Sequence, residues 1–251
     1  MNADFDACAS MVAAAKLYPE ARFVFPGSQE KKVRDFLENF YSIPAMRLRD
    51  VEINSITKLI IVDTKSPSRL GPLAEALENR NIEVHVYDHH EHAKGDIHGA
   101  FEVVELVGAT ATLLTEILHK KDLQPSSIEA TMLMLGIYEE TGHLLYPATT
   151  DRDLQAAAYL LKCGANLNIV ARYMKEELSP EEVRMLNECV ATSTEEAIGG
   201  LSVVLSTASS EHYIGDAAHL CHRLIDMTHA DAAIMMLRME GKILVVGRSR
   251  T

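Results

Sequence analysis

The stretch Ile82-Glu83-Val84-His85-Val86-Tyr87-Asp88-His89-His90 decides how the chain is read. An apolar strand runs straight into one carboxylate and two imidazoles, and in open α/β sheets the carboxyl ends of the strands are where ligands bind. Paired histidines also turn up by chance in surface turns, so the motif gains weight only from its company. Upstream, Leu59-Ile60-Ile61-Val62 ends in Asp63 in the same way, and four apolar residues in a row mark a strand covered on both faces. Between the two, Ser66-Pro67-Ser68 supplies capping and turn chemistry for a helix over 70–79. Strand, helix, strand with an acid at each strand end predicts an α/β fold built on a doubly wound, mainly parallel sheet.

Working outward, Asn2-Ala3-Asp4-Phe5-Asp6 reads as the end of a strand and the loop after it, followed by an alanine-rich helix over 7–17 that stops at Tyr18-Pro19. A short strand over 22–25 and a helix over 29–40 come next. Beyond Gly95 and Gly99 the pattern gives a strand over 101–106. A helix opened by Gly108-Ala109-Thr110-Ala111-Thr112 follows, then an apolar helix from 127 that leads into Gly136-Ile137-Tyr138-Glu139-Glu140-Thr141-Gly142. A helix over 151–161 stops at Cys163-Gly164. Residues 174–197 read as one long charged helix bridging two bodies. After Gly199 come strands over 201–205, 232–237 and 243–246 and a helix over 217–227, with Glu240-Gly241 as a hairpin turn. The division predicted is a large domain over 1–172, a helical linker over 173–198 and part of a smaller α/β domain over 199–251.

At 251 residues and 47% hydrophobic content the chain has the material for a large core and a small one. It has no run of eighteen apolar residues and no charged-then-apolar leader, which predicts a cytoplasmic protein without a membrane span. Cys8, Cys163, Cys189 and Cys221 are too far apart for a zinc knuckle or compact disulfide framework and read as reduced core residues. A net charge of −12 argues against a protein that coats nucleic acid by charge alone. It leaves open an enzyme whose bound divalent cations draw in an anionic substrate.

The acids and imidazoles at the ends of these elements are Asp4, Asp6, Asp63, Asp88, His89, His90 and Glu140. Mixed carboxylate and imidazole ligands suit Mn²⁺, Mg²⁺, Co²⁺ or Fe²⁺ better than a sulfur-rich zinc pattern does. Carboxylates that converge on one point repel one another and call for a cation. Two cations about 4 Å apart can clamp the attacking and leaving oxygens of a phosphoryl displacement, which points to phosphodiester or phosphomonoester hydrolysis. Other residues carry plainer readings. Glu139 points about 100° away from Glu140 on a helix and reads as a neighbour. His85 alternates with Val84 and Val86 and reads as packed or hydrogen-bonded. Arg69 is placed either to touch phosphate or to pair with a nearby acid.

Asn2-x-Asp4-x-Asp6, the strand ending in Asp63, Asp88-His89-His90 and Gly136-Ile-Tyr-Glu-Glu140-Thr-Gly142 together resemble the four successive motifs of the DHH phosphoesterase superfamily, in order and over about 1–170. RecJ-type exonucleases, oligoribonuclease and phosphoadenosine phosphatases, and manganese pyrophosphatases belong to it. The part from 199 resembles the start of the associated DHHA1 domain. Val62-Asp63-Thr-Lys-Ser-Pro-Ser-Arg69 most resembles the phosphoesterase domain found N-terminal to CBS domains and a tRNA nucleotidyltransferase or poly(A) polymerase module.

The resemblance implies two Mn²⁺ ions, or Mg²⁺ or Co²⁺ in their place. Asp63 would bridge them, Asp6, His89 and Glu140 would complete one site, and Asp4 would belong to the other. His90 would face the substrate phosphate, Asp88 and Asn2 would stand behind the ligands, and Arg69, Arg248 and Arg250 would contact substrate. The implied substrate is a nucleotide or short single-stranded RNA or DNA. Fusion to further domains is implied as well, and a homodimer stays open. Three departures stand out. The family's first motif begins with a histidine that would fall before Met1. Its fourth motif carries aspartate where Glu140 stands. The glycine-rich segment of DHHA1, expected soon after Arg250, is absent, so the chain reads as a piece cut at both ends. Besides a phosphoesterase, the sequence allows a catalytically weak nucleotide- or RNA-binding or regulatory domain of a larger nucleotidyltransferase, and, ranked last, a pyrophosphatase.

Overall fold

The structure is a computed structural model, and it describes residues 2–175, 178–215 and 217–250. The chain divides into two units, Met1–Lys175 and Glu176–Thr251.

The first unit runs β1 (Asn2–Ala3), α1 (Phe5–Leu17), β2 (Phe23–Val24), β3 (Ser28–Gln29), α2 (Lys31–Asn39), β4 (Ala45–Met46) and two short 3₁₀ turns. It continues with β5 (Lys58–Val62), a 3₁₀ segment (Pro67–Glu78), β6 (Glu83–Asp88), β7 (Phe101–Val104), α3 (Thr110–Lys120), α4 (Ser127–Glu140), α5 (Asp151–Lys162) and α6 (Leu167–Met174). All strand pairs described here are parallel: β1 with β3, β2 with β4, and β5 with β6 with β7. The expected α/β class with parallel strands is what the structure has, the strands being grouped in three separate ladders.

Period-two alternation, with both faces covered, explains the unbroken apolar run of β5 and the apolar run of β6 broken only by His85. Ile60, Val62 and Tyr87 face one core, formed with α1, α3 and α4, while Ile61, Val84 and Val86 face a second core under the 3₁₀ segment. Both faces are therefore covered, and the acids that end these strands emerge at one rim. Helix α1 is buried almost all round, which its alanines permit, and α4 packs along it. Gly136 allows that approach: a Cβ there would stand 3.0 Å from the Asp6 Cα. The close crossing brings the end of α4, with Glu140, towards the start of α1.

Two expected helices differ. In place of a helix over 70–79 there are 3₁₀ turns kinked at Gly71, because Pro72 disfavours α geometry in the residue before it. The single linker helix over 174–197 is not formed. Helix α6 ends at Met174, α7 (Pro180–Ala191) starts afresh, and β8 (Thr194–Ile198) follows, with 176 and 177 outside the described residues. Ser179 and Glu182 form a capping box with Pro180 in the first turn, a strong start signal. Met185, Leu186 and Cys189 of α7 are buried in the core of the second unit, so this helix is part of that unit and not a solvated bridge.

The second unit adds β9 (Leu201–Ser210), α8 (Ala217–Thr228), β10 (Ala232–Met239) and β11 (Lys242–Ser249) in a sheet of order β11-β10-β9-β8, with β9 and β10 parallel. Glu240 and Gly241 make the β10–β11 turn with positive φ at both positions, as a tight hairpin demands. All four cysteines are buried and free. No helix among the described residues is long and apolar enough to cross a membrane.

Candidate metal centre

Four elements deliver the site. Asp63 follows β5 and takes a left-handed φ of +59°, with its N–H donating to the Tyr87 carbonyl at 2.9 Å. A short polar side chain tolerates this conformation better than most, and such strain collects at functional sites. Asp88 ends β6, so the His89-His90 turn follows directly. Asp4 caps α1, accepting from Ala7 N at 2.9 Å, and Asp6 lies in the first turn of that helix. Glu140 is the last residue of α4.

Asp6, Asp63 and Glu140 meet at the His89 ring. Its Nε2 lies 3.7 Å from Asp63 Oδ1, 3.7 Å from Glu140 Oε1 and 3.9 Å from Asp6 Oδ2. All three gaps are too long for hydrogen bonds, and this buried nitrogen has no hydrogen-bond partner. The orientation follows from the other side of the ring. Nδ1 lies 3.0 Å from the Val107 carbonyl oxygen, which can only accept, so Nδ1 donates there and Nε2 is the ring atom turned to the carboxylates. A buried imidazole nitrogen without a hydrogen-bond partner, facing three acids, is a suitable arrangement around a cation. One ligating atom each from Asp63, His89 and His90 also lies within 4.8 Å of the others. The donor set fits a divalent ion that accepts oxygen and imidazole together.

The electrostatics agree. Burial pushes the Asp6 carboxyl up to about 6, against the lowering effect of His89 and two backbone N–H groups. Burial, reinforced by the charges of Asp6, Asp4 and Glu140, holds Asp63 well above the usual carboxylate range. Glu139, read as a bystander, is raised to about 7, first by burial and then by Asp4 and Glu30, and its Oε2 accepts from Phe5 N at 2.9 Å. It thereby ties the end of α4 to the start of α1.

His90 turns its Nδ1 to Asp88 Oδ1 at 2.7 Å, which leaves Nε2 without that partner. That bond raises the His90 pKa, and the charge of Arg69 reaches the same ring. Asn2 sits on β1 and accepts a hydrogen bond from Ser28. Arg248 and Arg250 belong to the second unit, where Arg250 pairs with Asp226 at 3.3 Å.

The sequence reading missed two supports. Thr110 donates its N–H to Asp6 Oδ2 at 2.8 Å and its hydroxyl to Asp63 Oδ1 at 3.1 Å, while Ala111 N donates to Asp6 Oδ1 at 2.8 Å. The first turn of α3 thus points its free N–H groups at a carboxylate instead of at a cap of its own. The other support is Lys65, whose buried ammonium lies 3.2 Å from Asp88 Oδ2 and donates to the His90 carbonyl at 2.6 Å. Gly108-Ala-Thr110 had been legible only as a helix start, and Lys65 only as one lysine in a turn.

Comparison with known proteins agrees with this architecture. The chain is 43% identical over its whole length to the A-adding tRNA nucleotidyltransferase of Geobacter sulfurreducens and 32% identical to that of Aquifex aeolicus, spanning 29% of the length of each. It is 28% identical, over 77% of its length and 29% of the relative's, to the cyclic-di-AMP phosphodiesterase GdpP of Bacillus subtilis. In fold it is similar to an exopolyphosphatase-related protein of Bacteroides fragilis, at a TM-score of 0.69 and 14% identity over 99% of this chain and 76% of that one. The model of the DHH family N-terminal domain matches residues 1–137, more than half of the 251, and the chain belongs to the DHH family.

Proposed function

We propose that the first unit is a divalent-metal-dependent phosphoesterase acting on nucleotides or short single-stranded nucleic acid, with two Mn²⁺ ions, or Mg²⁺ or Co²⁺, held by Asp4, Asp6, Asp63, His89 and Glu140. The observation that carries this reading is the buried, partnerless His89 Nε2 facing three carboxylates. When bound, such ions supply Lewis acidity at a phosphoryl oxygen and lower the pKa of water. Asp63, whose carboxyl feels the charges of Asp6, Asp4, Glu140 and Asp88, is the bridging ligand in this proposal. His90, oriented by Asp88, donates from Nε2 to a phosphate oxygen, and Arg69 adds positive charge beside it. Relatives named as a cyclic-di-AMP phosphodiesterase and, in Streptococcus mutans, as an oligoribonuclease and PAP phosphatase support a substrate that joins phosphate to a nucleotide.

The test is Mn²⁺ binding and hydrolysis of a dinucleotide by the full-length protein. Two ions per chain and Mn²⁺-dependent turnover that Asp63→Ala abolishes are expected. Turnover by Asp63→Ala at the wild-type rate refutes the assignment.

A second reading is favoured by one feature. Glu140 stands where the family has aspartate, and its side chain is 35% exposed. Together with the nucleotidyltransferase relatives, of which the chain spans 29%, this supports a domain that holds nucleotide or RNA for a fused polymerase module. Tight oligonucleotide binding without turnover under any divalent metal favours that reading over hydrolysis.

A further inference from the structure

The loop from Val107 to Ala111 touches three of the acids and imidazoles of the metal centre, and something must hold the loop. Asp153, in the first turn of α5 and fully buried, does so. Gly108 N donates to both of its oxygens, at 3.1 and 2.9 Å, and the Thr112 hydroxyl donates to Oδ1 at 2.5 Å. Its Oδ2 also accepts from Thr150 N and Thr150 Oγ1, both at 2.7 Å, which closes the start of α5. The carboxylate presses so closely on the loop that a Cβ at Gly108 would lie 2.7 Å from Oδ2.

We infer that Asp153 is a positioning residue for the metal centre, acting through the backbone of Gly108. On one side of Gly108, the Val107 carbonyl holds His89 Nδ1 and so orients the ring with Nε2 towards the acids. On the other side, Thr110 and Ala111 orient both oxygens of Asp6 and one of Asp63. Asp153 touches none of these side chains, yet it pins the segment that aims all three. Outer partners of this kind typically change metal affinity 10- to 100-fold when removed. The inference rests on the metal reading above.

The two jobs of Asp153 separate by experiment. Mn²⁺ affinity is measured by calorimetry on the full-length wild-type protein, on Asp153→Ala and Thr112→Val, which loosen the loop, and on Thr150→Val, which removes one bond at the start of α5 and leaves the Gly108 and Thr112 bonds of Asp153 in place. Thermal unfolding is followed for each without metal. The expectation is a loss of affinity of about 10-fold or more for Asp153→Ala and a severalfold loss for Thr112→Val. Thr150→Val should lower the melting temperature while keeping wild-type affinity. If Asp153→Ala does not fold, Thr112→Val decides the matter alone. Wild-type affinity in a folded Asp153→Ala or in Thr112→Val overturns the inference, as does an equal loss in Thr150→Val. Failure of the wild-type protein to take up Mn²⁺ overturns the metal reading itself and this inference with it.

Discussion

Replacing Lys65 with methionine tests whether the Asp88-His89-His90 turn is held by charge. The ammonium and the Asp88 carboxylate are 3% and 0% exposed. Their 3.2 Å separation lacks hydrogen-bond geometry at Oδ2, so the ammonium's charge is what that oxygen has opposite it. Oδ1 is better served, accepting from His89 N at 3.0 Å and His90 Nδ1 at 2.7 Å. Removing one member of a buried pair costs roughly 3–5 kcal/mol because the other charge is left behind. With Oδ1 still satisfied, the lower figure applies, and the His90 carbonyl also loses its donor. A loss of about 3 kcal/mol corresponds to a fall of about 6–12 °C in melting temperature for a unit of this size. Denaturant titration of Lys65→Met, Asp88→Asn and the double variant is the assay. The double variant should be more stable than Lys65→Met alone, since removing the second charge relieves the first loss. A Lys65→Met protein within 0.5 kcal/mol of wild type, or strictly additive losses, would refute the argument.

Two further predictions concern pH and have opposite signs. With metal removed, Asp6 titrates near 6 in the folded chain against 3.8 as a free side chain, so its contribution is most favourable below pH 4 and is lost as pH rises through 6. Asp6→Asn should therefore gain on metal-free wild type by about 3 kcal/mol between pH 4 and 7.5, and a difference that does not move with pH would count against the buried carboxylate cluster. Glu129 behaves the other way. Burial works to raise it, but the Ser126 N–H at 2.7 Å and the Lys16 ammonium at 3.0 Å leave it lowered on balance. Its stabilisation is present above the ordinary glutamate range and lost as pH falls through its folded pKa. Glu129→Gln should cost about 1–2 kcal/mol at pH 7, shrinking towards pH 4, and equal losses at both values would exclude the charge as the cause.

How far the fold was legible depended on where the information lay. The strands ending in Asp63 and Asp88 were visible because burial on both faces writes apolar residues at successive positions, unbroken over 59–62 in β5 and interrupted only by His85 over 84–87 in β6. The convergence of distant acids was legible from motif order, and Asp6, Asp63 and Glu140 do surround His89. The linker failed because residues 174–197 read as charged without a strong apolar surplus, and the start signal at Ser179-Pro180 was outweighed by that texture. β8 is exposed at every position, so no alternation betrays it, and only its pairing with β9 makes it a strand. The supports of the site were illegible for a related reason. Val107 and Gly108 act through backbone atoms, and Asp153 is a buried acid whose partners in that loop lie 41 and 45 residues away.

These supports bear on how many ions the proposed centre would take. Five carboxylates come from Asp4, Asp6, Asp63, Asp88 and Glu140, and Lys65 offsets Asp88 at 3.2 Å, leaving four uncompensated. The first turn of α3 adds roughly half a positive charge beside Asp6, from N–H groups that both point at it. One divalent ion would still leave the cluster distinctly negative, and an anionic phosphate would be repelled from it. Two would bring the centre close to neutral, and His90 and Arg69 at the open side would then tip it positive where a phosphate enters. The proposal of a pair thus rests on the charge that the fold leaves unbalanced as well as on the number of ligands.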